Sequence, residues 1–349
     1  MNIDFIKKME LEITSDCNAA CPGCARTQNL HRLEVTRFSL DDLKRILPDE
    51  RHIRDKDISL CGVLGDPMIH PQVVDITEYL LSNGAQVTIS TNAGIAPIET
   101  WEKLGKLSGI YGRNFILMAC IDGHRETNHI YRVNTKFDVI ERNLNAFNKY
   151  AYKGPLNKNR WVFIVFDHNE HEIEAAKEHA KMLGFQFYIR TGMRNSINTW
   201  IAKLGKKNNI QEKKITTTGH KEHKRKSEVI ELDKIIAEKK VDKAVLDTLV
   251  CKFVHDGELF INAQQEMWPC CYLWDSMFWG KEDIANKYAE FGKGWNSLKD
   301  KSIEEIMIHP YYTKVLADSW NPEHNKHMKR CIRTCAKNKA YQNVMVEQK

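Results

Sequence analysis

The sequence contains no run of about 18 uncharged apolar residues, the least that a helix needs to cross a bilayer, so no membrane-spanning helix is expected. Its first residues, Met1-Asn2-Ile3-Asp4-Phe5-Ile6-Lys7-Lys8, hold neither a long apolar stretch nor a small-residue cleavage site. No export signal is recognised there, and a cytoplasmic location is expected. Internal repeats are absent, and so is low complexity outside one lysine-rich stretch. A strong excess of one charge is lacking too. The net charge of +6 over 349 residues is modest and mostly local, which gives little ground for expecting nucleic acid as a partner, and no membrane partner is expected either. Hydrophobic residues make up 42%. The length suits two compact domains or one α/β barrel with an appendage, and the second arrangement is expected.

What is abundant is cysteine. Of ten, three lie close together (Cys17, Cys21, Cys24), five fall in the last hundred residues (Cys251, Cys270, Cys271, Cys331, Cys335), and only Cys61 and Cys120 stand alone. In a reducing compartment clustered cysteines mean metal more often than disulfides. Cys61 and Cys120 fall on predicted strands and read as small buried hydrophobes.

From residue 8 to about 190, short β-rich runs alternate with longer helical patterns, the mark of successive βα units and a parallel sheet. Six strands are predicted: Met9 to Thr14, Asp57 to Cys61, Gln86 to Ser90, Asn114 to Cys120, Trp161 to Phe166 and Phe185 to Arg190. Ser39 is a candidate N-cap for a helix over about 40–47, and Asn83-Gly84 a candidate stop for one over about 71–82. Phe137, Ile140, Leu144 and Phe147 recur at helical spacing, and a further helix runs from Glu170 to Leu183 before Gly184. The expected fold is α/β, a partial (β/α)6 TIM-like barrel with catalytic groups at the carboxyl ends of its strands and a small C-terminal cysteine-rich domain. Between Lys203 and Lys226 nine basic residues meet only Glu212 and Glu222, which reads as a polar insertion or linker. The expected division is a barrel over 1–200, a basic linker over 201–245 and a cysteine-rich domain over 246–349.

Cys17-Asn18-Ala19-Ala20-Cys21-Pro22-Gly23-Cys24 follows the first strand directly, so three thiolates share one tight loop at the barrel mouth. A cubane cluster normally takes four thiolates, so three leave one iron open, as catalytic metal sites require. A structural zinc or iron-sulfur site that borrows a distant fourth cysteine remains an alternative.

The C-x3-C-x2-C loop after a first strand resembles the radical S-adenosylmethionine (SAM) superfamily, and further segments follow in that family's order. Gly65-Asp66-Pro67 resembles its Gly-Glu-Pro motif, with Asp in place of Glu. Ser90-Thr91-Asn92-Ala93-Gly94 is similar to its strand-end Thr-Asn-Gly element. Ile121-Asp122-Gly123 through His129, Arg132 and Phe137 resembles its fourth βα unit, and Phe166 to Ile173 its fifth. The resemblance covers about residues 8–190. It implies a [4Fe-4S] cluster on Cys17, Cys21 and Cys24, and SAM held near Gly65, Asp66, Pro67, Ser90, Thr91, Asn92 and Asp122. It implies reductive cleavage of SAM to a 5'-deoxyadenosyl radical that takes hydrogen from a small-molecule or peptide substrate. An external one-electron donor of the flavodoxin or ferredoxin type is implied as well. Gly23 departs from the many relatives that carry an aromatic residue there. His129, His168 and His171 read as surface or capping residues.

The second group of cysteines resembles the SPASM/twitch extension of that superfamily, in which a first Cys precedes a β-hairpin ending in Pro-Cys and a C-terminal Cys pair closes the site. With five cysteines, the shorter one-cluster form fits. The resemblance implies Cys251, Cys270, Cys331 and Cys335 as ligands of an auxiliary [4Fe-4S] cluster, with Cys271 as an alternate or a buried thiol. Zinc accepts the same thiolates and stays open. Here Gln265 replaces the family's glycine, and the closing pair is C-x3-C instead of C-x2-C. Trp268, Trp274, Trp279, Trp295 and Trp320 read as core. The sequence thus points to a radical SAM oxidoreductase or maturase. The alternative from another class is a non-catalytic iron-sulfur or zinc scaffold, or a nucleic-acid-binding module.

Overall fold

The structure, a computed structural model, describes residues 2–191, 246–321, 327–336 and 344–347. The lysine-rich stretch 203–226 and the expected linker lie outside the described residues.

Six parallel strands form in chain order: β1 (Lys8–Leu11), β2 (Asp57–Leu60), β3 (Gln86–Thr91), β4 (Phe115–Cys120), β5 (Arg160–Ile164) and β6 (Gln186–Thr191). Each pairs in parallel with the next. This is the partial barrel that the alternating runs predict. The second half of the chain adds β7 (Glu258–Ile261), β8 (Met267–Trp268) and β9 (Val344–Glu347), giving the order β8-β7-β1-β2-β3-β4-β5-β6-β9. β7 pairs in parallel with β1, Lys8 opposite Glu258 and Leu11 opposite Ile261. The cysteine-rich segment therefore shares the barrel's own sheet through this hairpin, and β9 covers the other edge antiparallel to β6.

Alternation along the strands separates two environments. Met9, Leu11, Ile58, Leu60, Val87, Ile89, Leu117, Trp161 and Phe163 belong to one buried layer under the helices. Each such side chain contributes roughly 1.5–3 kcal/mol by leaving water. Residues of the opposite parity, such as Glu10, Ser59, Thr88, Cys120 and Arg190, line cavities inside the barrel.

The covering helices have identifiable ends. Leu40–Ile46 starts with the capping box that Ser39 suggests: its hydroxyl accepts from the Asp42 amide while Asp42 accepts from the Ser39 amide. Val73–Ser82 and Phe137–Asn148 form as expected. The pattern over 170–183 begins as a short 3-10 turn, Glu170–Glu172, before the helix Ile173–Met182. Ile98–Tyr111 packs on Phe137–Asn148 through Gly105, where a Cβ would stand 2.3 Å from the Phe147 carbonyl oxygen. Trp268, Trp274 and Trp295 are buried, with Trp279 and Trp320 packed against the same core. No helix among the described residues is long and apolar enough to cross a membrane.

Candidate active site and cysteine centres

The chain segments that leave β1, β2, β3 and β4 converge on one cavity of about 380 Å³ at the carboxyl ends of the strands. Cys17, Cys21 and Cys24 line it, together with Gly62 to Asp66, Ser90 to Asn92, and Cys120.

The cysteine loop is pinned from several sides. The Ser15 amide donates to the Thr36 carbonyl (3.0 Å), and the Ala20 amide to the Val133 carbonyl (3.0 Å). Asp16 accepts from the Cys17 amide (2.9 Å) and pairs with Arg26 and Arg37. Two side-chain donors face the sulfurs: Asn92 Nδ2 lies 3.8 Å from Cys17 Sγ, and Arg132 Nη1 lies 3.8 Å from Cys21 Sγ. Burial, with Asp66 and the two other thiols nearby, pushes the Cys17 thiol up to about 12. A thiolate is stable there only beside a cation, which suits a metal site. Ala19, Tyr131, Ile164 and Phe166 pack with the three cysteines as a small apolar cluster separate from the main core.

The turn after β2 is held by a residue that sequence reasoning passed over. Glu12 is fully buried, and its Oε1 accepts from the amides of Leu64 (2.6 Å) and Gly65 (3.3 Å). Burial raises its carboxyl to about 7 against the effect of those amides. Gly65 lies so close to the first loop that a Cβ would meet the Thr14 carbonyl oxygen at 1.8 Å. A glycine is required for this approach.

Asp66 borders the cavity, but its carboxylate is spent within the protein. It accepts from the amides of Met68 (3.0 Å) and Asn92 (2.8 Å) and from the Thr91 hydroxyl (2.8 Å). Pro67 starts the following 3-10 turn and is buried. The Ser90 hydroxyl and Cys120 thiol are 3.5 Å apart, and both line the cavity. This corrects the reading of Cys120 as a core hydrophobe. Cys61 has its thiol pushed well up by burial, with Glu10 and Glu12 adding to the effect.

Asp122 is fully buried behind Arg132: Oδ2 pairs with Arg132 Nε at 2.7 Å, and Oδ1 accepts from the Ile164 amide at 2.8 Å. It orients the guanidinium that faces Cys21. Arg132, Arg190, Tyr272, Asp275 and Arg330 also line the cavity. Of these, Arg132 lay within a segment of the family resemblance and Arg190 closed a predicted strand; the other three lay in neither. His129 and His171 are exposed. His171 lies 3.9 Å from Glu126, while the neighbouring Glu172 carboxylate is occupied by the Thr127 hydroxyl and the amides of His124 and Glu126.

The second group of cysteines assembles from three segments. Cys251 precedes the short helix Lys252–Asp256, Cys270 follows β8, and Cys331 and Cys335 lie on the helix Lys329–Cys335. The C-x3-C spacing puts this last pair on one helix face. Burial pushes all four thiols up, Cys335 to about 11, and their charges act on one another. Cys271 turns the other way, into the wall of the main cavity, where burial and Glu10 raise its thiol.

No family model matches the chain. It is 28% identical over 102 residues to the tungsten-containing aldehyde ferredoxin oxidoreductase cofactor-modifying protein of Pyrococcus furiosus, a match over 29% of this chain and 28% of the relative. It is 26% identical over 179 residues to the AdoMet-dependent heme synthase of Methanosarcina barkeri, covering 51% and 48% of the two. The chain thus spans less than half the length of each of these curated relatives. Among solved structures, Streptococcus suis SuiB bound to its precursor peptide SuiA superimposes with a TM-score of 0.55 at 13% identity, over 89% of this chain and 67% of that one. The anSMEcpe protein with bound AdoMet and Cp18Cys peptide gives 0.50 at 14% identity, over 95% and 89%. These two likenesses concern the fold. What the fold and site define is a partial α/β barrel with a three-cysteine loop at the end of its first strand. In sequence the chain is thus similar, over about half its length, to an AdoMet-dependent heme synthase, and in fold it is similar to a structure solved with AdoMet bound.

Proposed function

We propose that this protein uses a [4Fe-4S] cluster on Cys17, Cys21 and Cys24 to cleave SAM reductively, and that the radical so formed takes hydrogen from a small-molecule or peptide substrate. The observation that carries the reading is the convergence of the three thiols with the turn 62–66 and the β3 exit on a single cavity. The residues fit the group: one buried and two half-buried thiols line the cavity, and two of them have an N–H donor directed at the sulfur. Such a cluster supplies one open iron for the amino and carboxylate groups of SAM and one electron for its sulfonium.

The chain's own contribution is binding, orientation and exclusion of water. Glu12 ties up the amides of Leu64 and Gly65, which leaves the carbonyl oxygens of that turn as acceptors for an ammonium group. Asn92 and Arg132 disperse charge on the Cys17 and Cys21 sulfurs. Tyr131, Ile164 and Phe166 keep water from the loop.

We assign Cys251, Cys270, Cys331 and Cys335 to an auxiliary [4Fe-4S] cluster that accepts an electron from the substrate or helps to anchor it. The proposed division places the radical chemistry in 1–200 and the auxiliary centre in 246–349, joined by the basic stretch 201–245. SuiB was solved with a precursor peptide and anSMEcpe with a peptide, which supports the peptide arm of the substrate reading. The test is 5'-deoxyadenosine formation from SAM under strict anaerobiosis, with reconstituted protein and dithionite. Activity that disappears when Cys17, Cys21 and Cys24 are replaced by Ala is expected, with the barrel retained. No product from a fully loaded and reducible first cluster would return the protein to the scaffold reading.

A further inference from the structure

The charge lining the cavity is unbalanced in a way that the cysteine centres do not use. Three guanidinium groups border it, Arg132, Arg190 and Arg330, against two carboxylates, Asp66 and Asp275. Asp66 is consumed by the turn and strand exit described above. Arg132 is occupied by Asp122 and directed at Cys21. Arg330 pairs with Asp275 at 3.0 Å and lies over the Tyr272 ring at 5.2 Å, yet its Nε is buried with no acceptor. Arg190, at the carboxyl end of β6, has no carboxylate partner among the described residues, and its Nε is likewise buried without an acceptor.

A buried N–H on a permanently charged group is costly to leave unpaired. Both arginines line one cavity, where an external acceptor would meet their guanidinium groups. A guanidinium is a planar fork that matches the two oxygens of a carboxylate or phosphate. We propose that the substrate carries such an oxyanion and that Arg190 binds it, with Arg330 on its Tyr272 and Asp275 support completing the wall. This rests on the function proposed above, since it names the substrate class of that same cavity. It also separates the tasks of the arginines: Arg132 serves the thiol loop, and Arg190 serves the substrate.

The experiment is calorimetric titration of cluster-reconstituted, SAM-loaded protein with succinate and, separately, inorganic phosphate. Wild-type protein, Arg190→Gln and Arg190→Lys are compared, and SAM affinity is measured on each. Wild type should bind at least one probe, and the stronger of the two tells carboxylate from phosphate. Arg190→Gln should weaken it about tenfold or more, Arg190→Lys should fall between, and SAM affinity should stay within about twofold. The inference is overturned if wild type binds neither probe, if Arg190→Gln binds as wild type does, or if that variant loses SAM affinity instead. Binding of the probe that depends on Arg190 in protein that never binds SAM would sink the radical reading and leave this one standing.

Discussion

The Asp66 carboxylate accepts the Thr91 hydroxyl at 2.8 Å, and through the Asn92 amide it also grips the next residue of the same strand exit. It fastens the turn after β2 to the end of β3 from beneath the cavity. Replacing Asp66 by Ala leaves two buried amides and a hydroxyl without their acceptor, at a cost of roughly 2–4 kcal/mol. Asp66→Glu restores the residue found in the resembling motif but adds a methylene to a site that is 4% exposed, which costs roughly 1–3 kcal/mol. Urea unfolding of the two variants checks this. Wild-type stability for either would mean that the turn is held some other way.

Asp122 and Arg132 form the buried ion pair behind the cysteine loop. Removing only the guanidinium, as in Arg132→Met, strands a fully buried carboxylate and is expected to destabilise by roughly 3–5 kcal/mol. The double variant Asp122→Asn/Arg132→Met should recover much of this loss, because neither charge is then unpaired. Stability would return without the N–H that faces Cys21. Thermal unfolding together with the redox potential of protein reconstituted with iron and sulfide distinguishes the two roles: the double variant should refold well and still show a shifted potential. An unshifted potential would make Arg132 a purely structural residue.

The strands and the first cysteine loop were legible because their signals are local. Alternation marks β1 to β6 within one or two residues at most boundaries, and a three-thiol loop needs no partner to be recognised. The wall of the cavity was harder to read. Arg190, Tyr272 and Arg330 come from segments far apart in the chain, and no periodicity links them. Strand parity held part of the answer. Phe187 is buried under the helices, while Tyr188 and Arg190 share the opposite parity, so Arg190 faces inward; Cys120 is similarly out of step with Leu117 and Ala119. Asp122 was expected near the cofactor and lies behind Arg132, since an ion pair ten residues apart across a loop has no sequence signature. Glu12 was hidden inside a run read only as strand.

Cys270 and Cys271 are neighbours in sequence, yet Cys271 lines the main cavity and Cys270 does not. Cys270→Ser should therefore lose the metal of the second centre while keeping that of the first, and Cys271→Ser should keep both. Iron and zinc content per chain after anaerobic reconstitution measures this, and the metal lost with Cys270 identifies what the second centre holds. Equal loss in the two variants would mean that Cys271 is a ligand and that the four-thiol assignment is wrong.

Glu12 gives the protein a pH dependence whose sign follows from burial. Its carboxyl sits at about 7 in the folded chain against an ordinary value of 4.5, so between those values the folded state holds a proton that the unfolded state has released. Stability contributed by this group is fully present below about 4.5 and is lost as pH rises through about 7, on the order of 1–3 kcal/mol in all. Glu12→Gln keeps a carbonyl acceptor for the Leu64 and Gly65 amides but cannot ionise. The difference in unfolding free energy between wild type and Glu12→Gln should therefore change across pH 5–8, moving in favour of the variant as pH rises. A difference that stays flat over that range would show that Glu12 ionises at its ordinary pH and that the turn after β2 tolerates a buried charge.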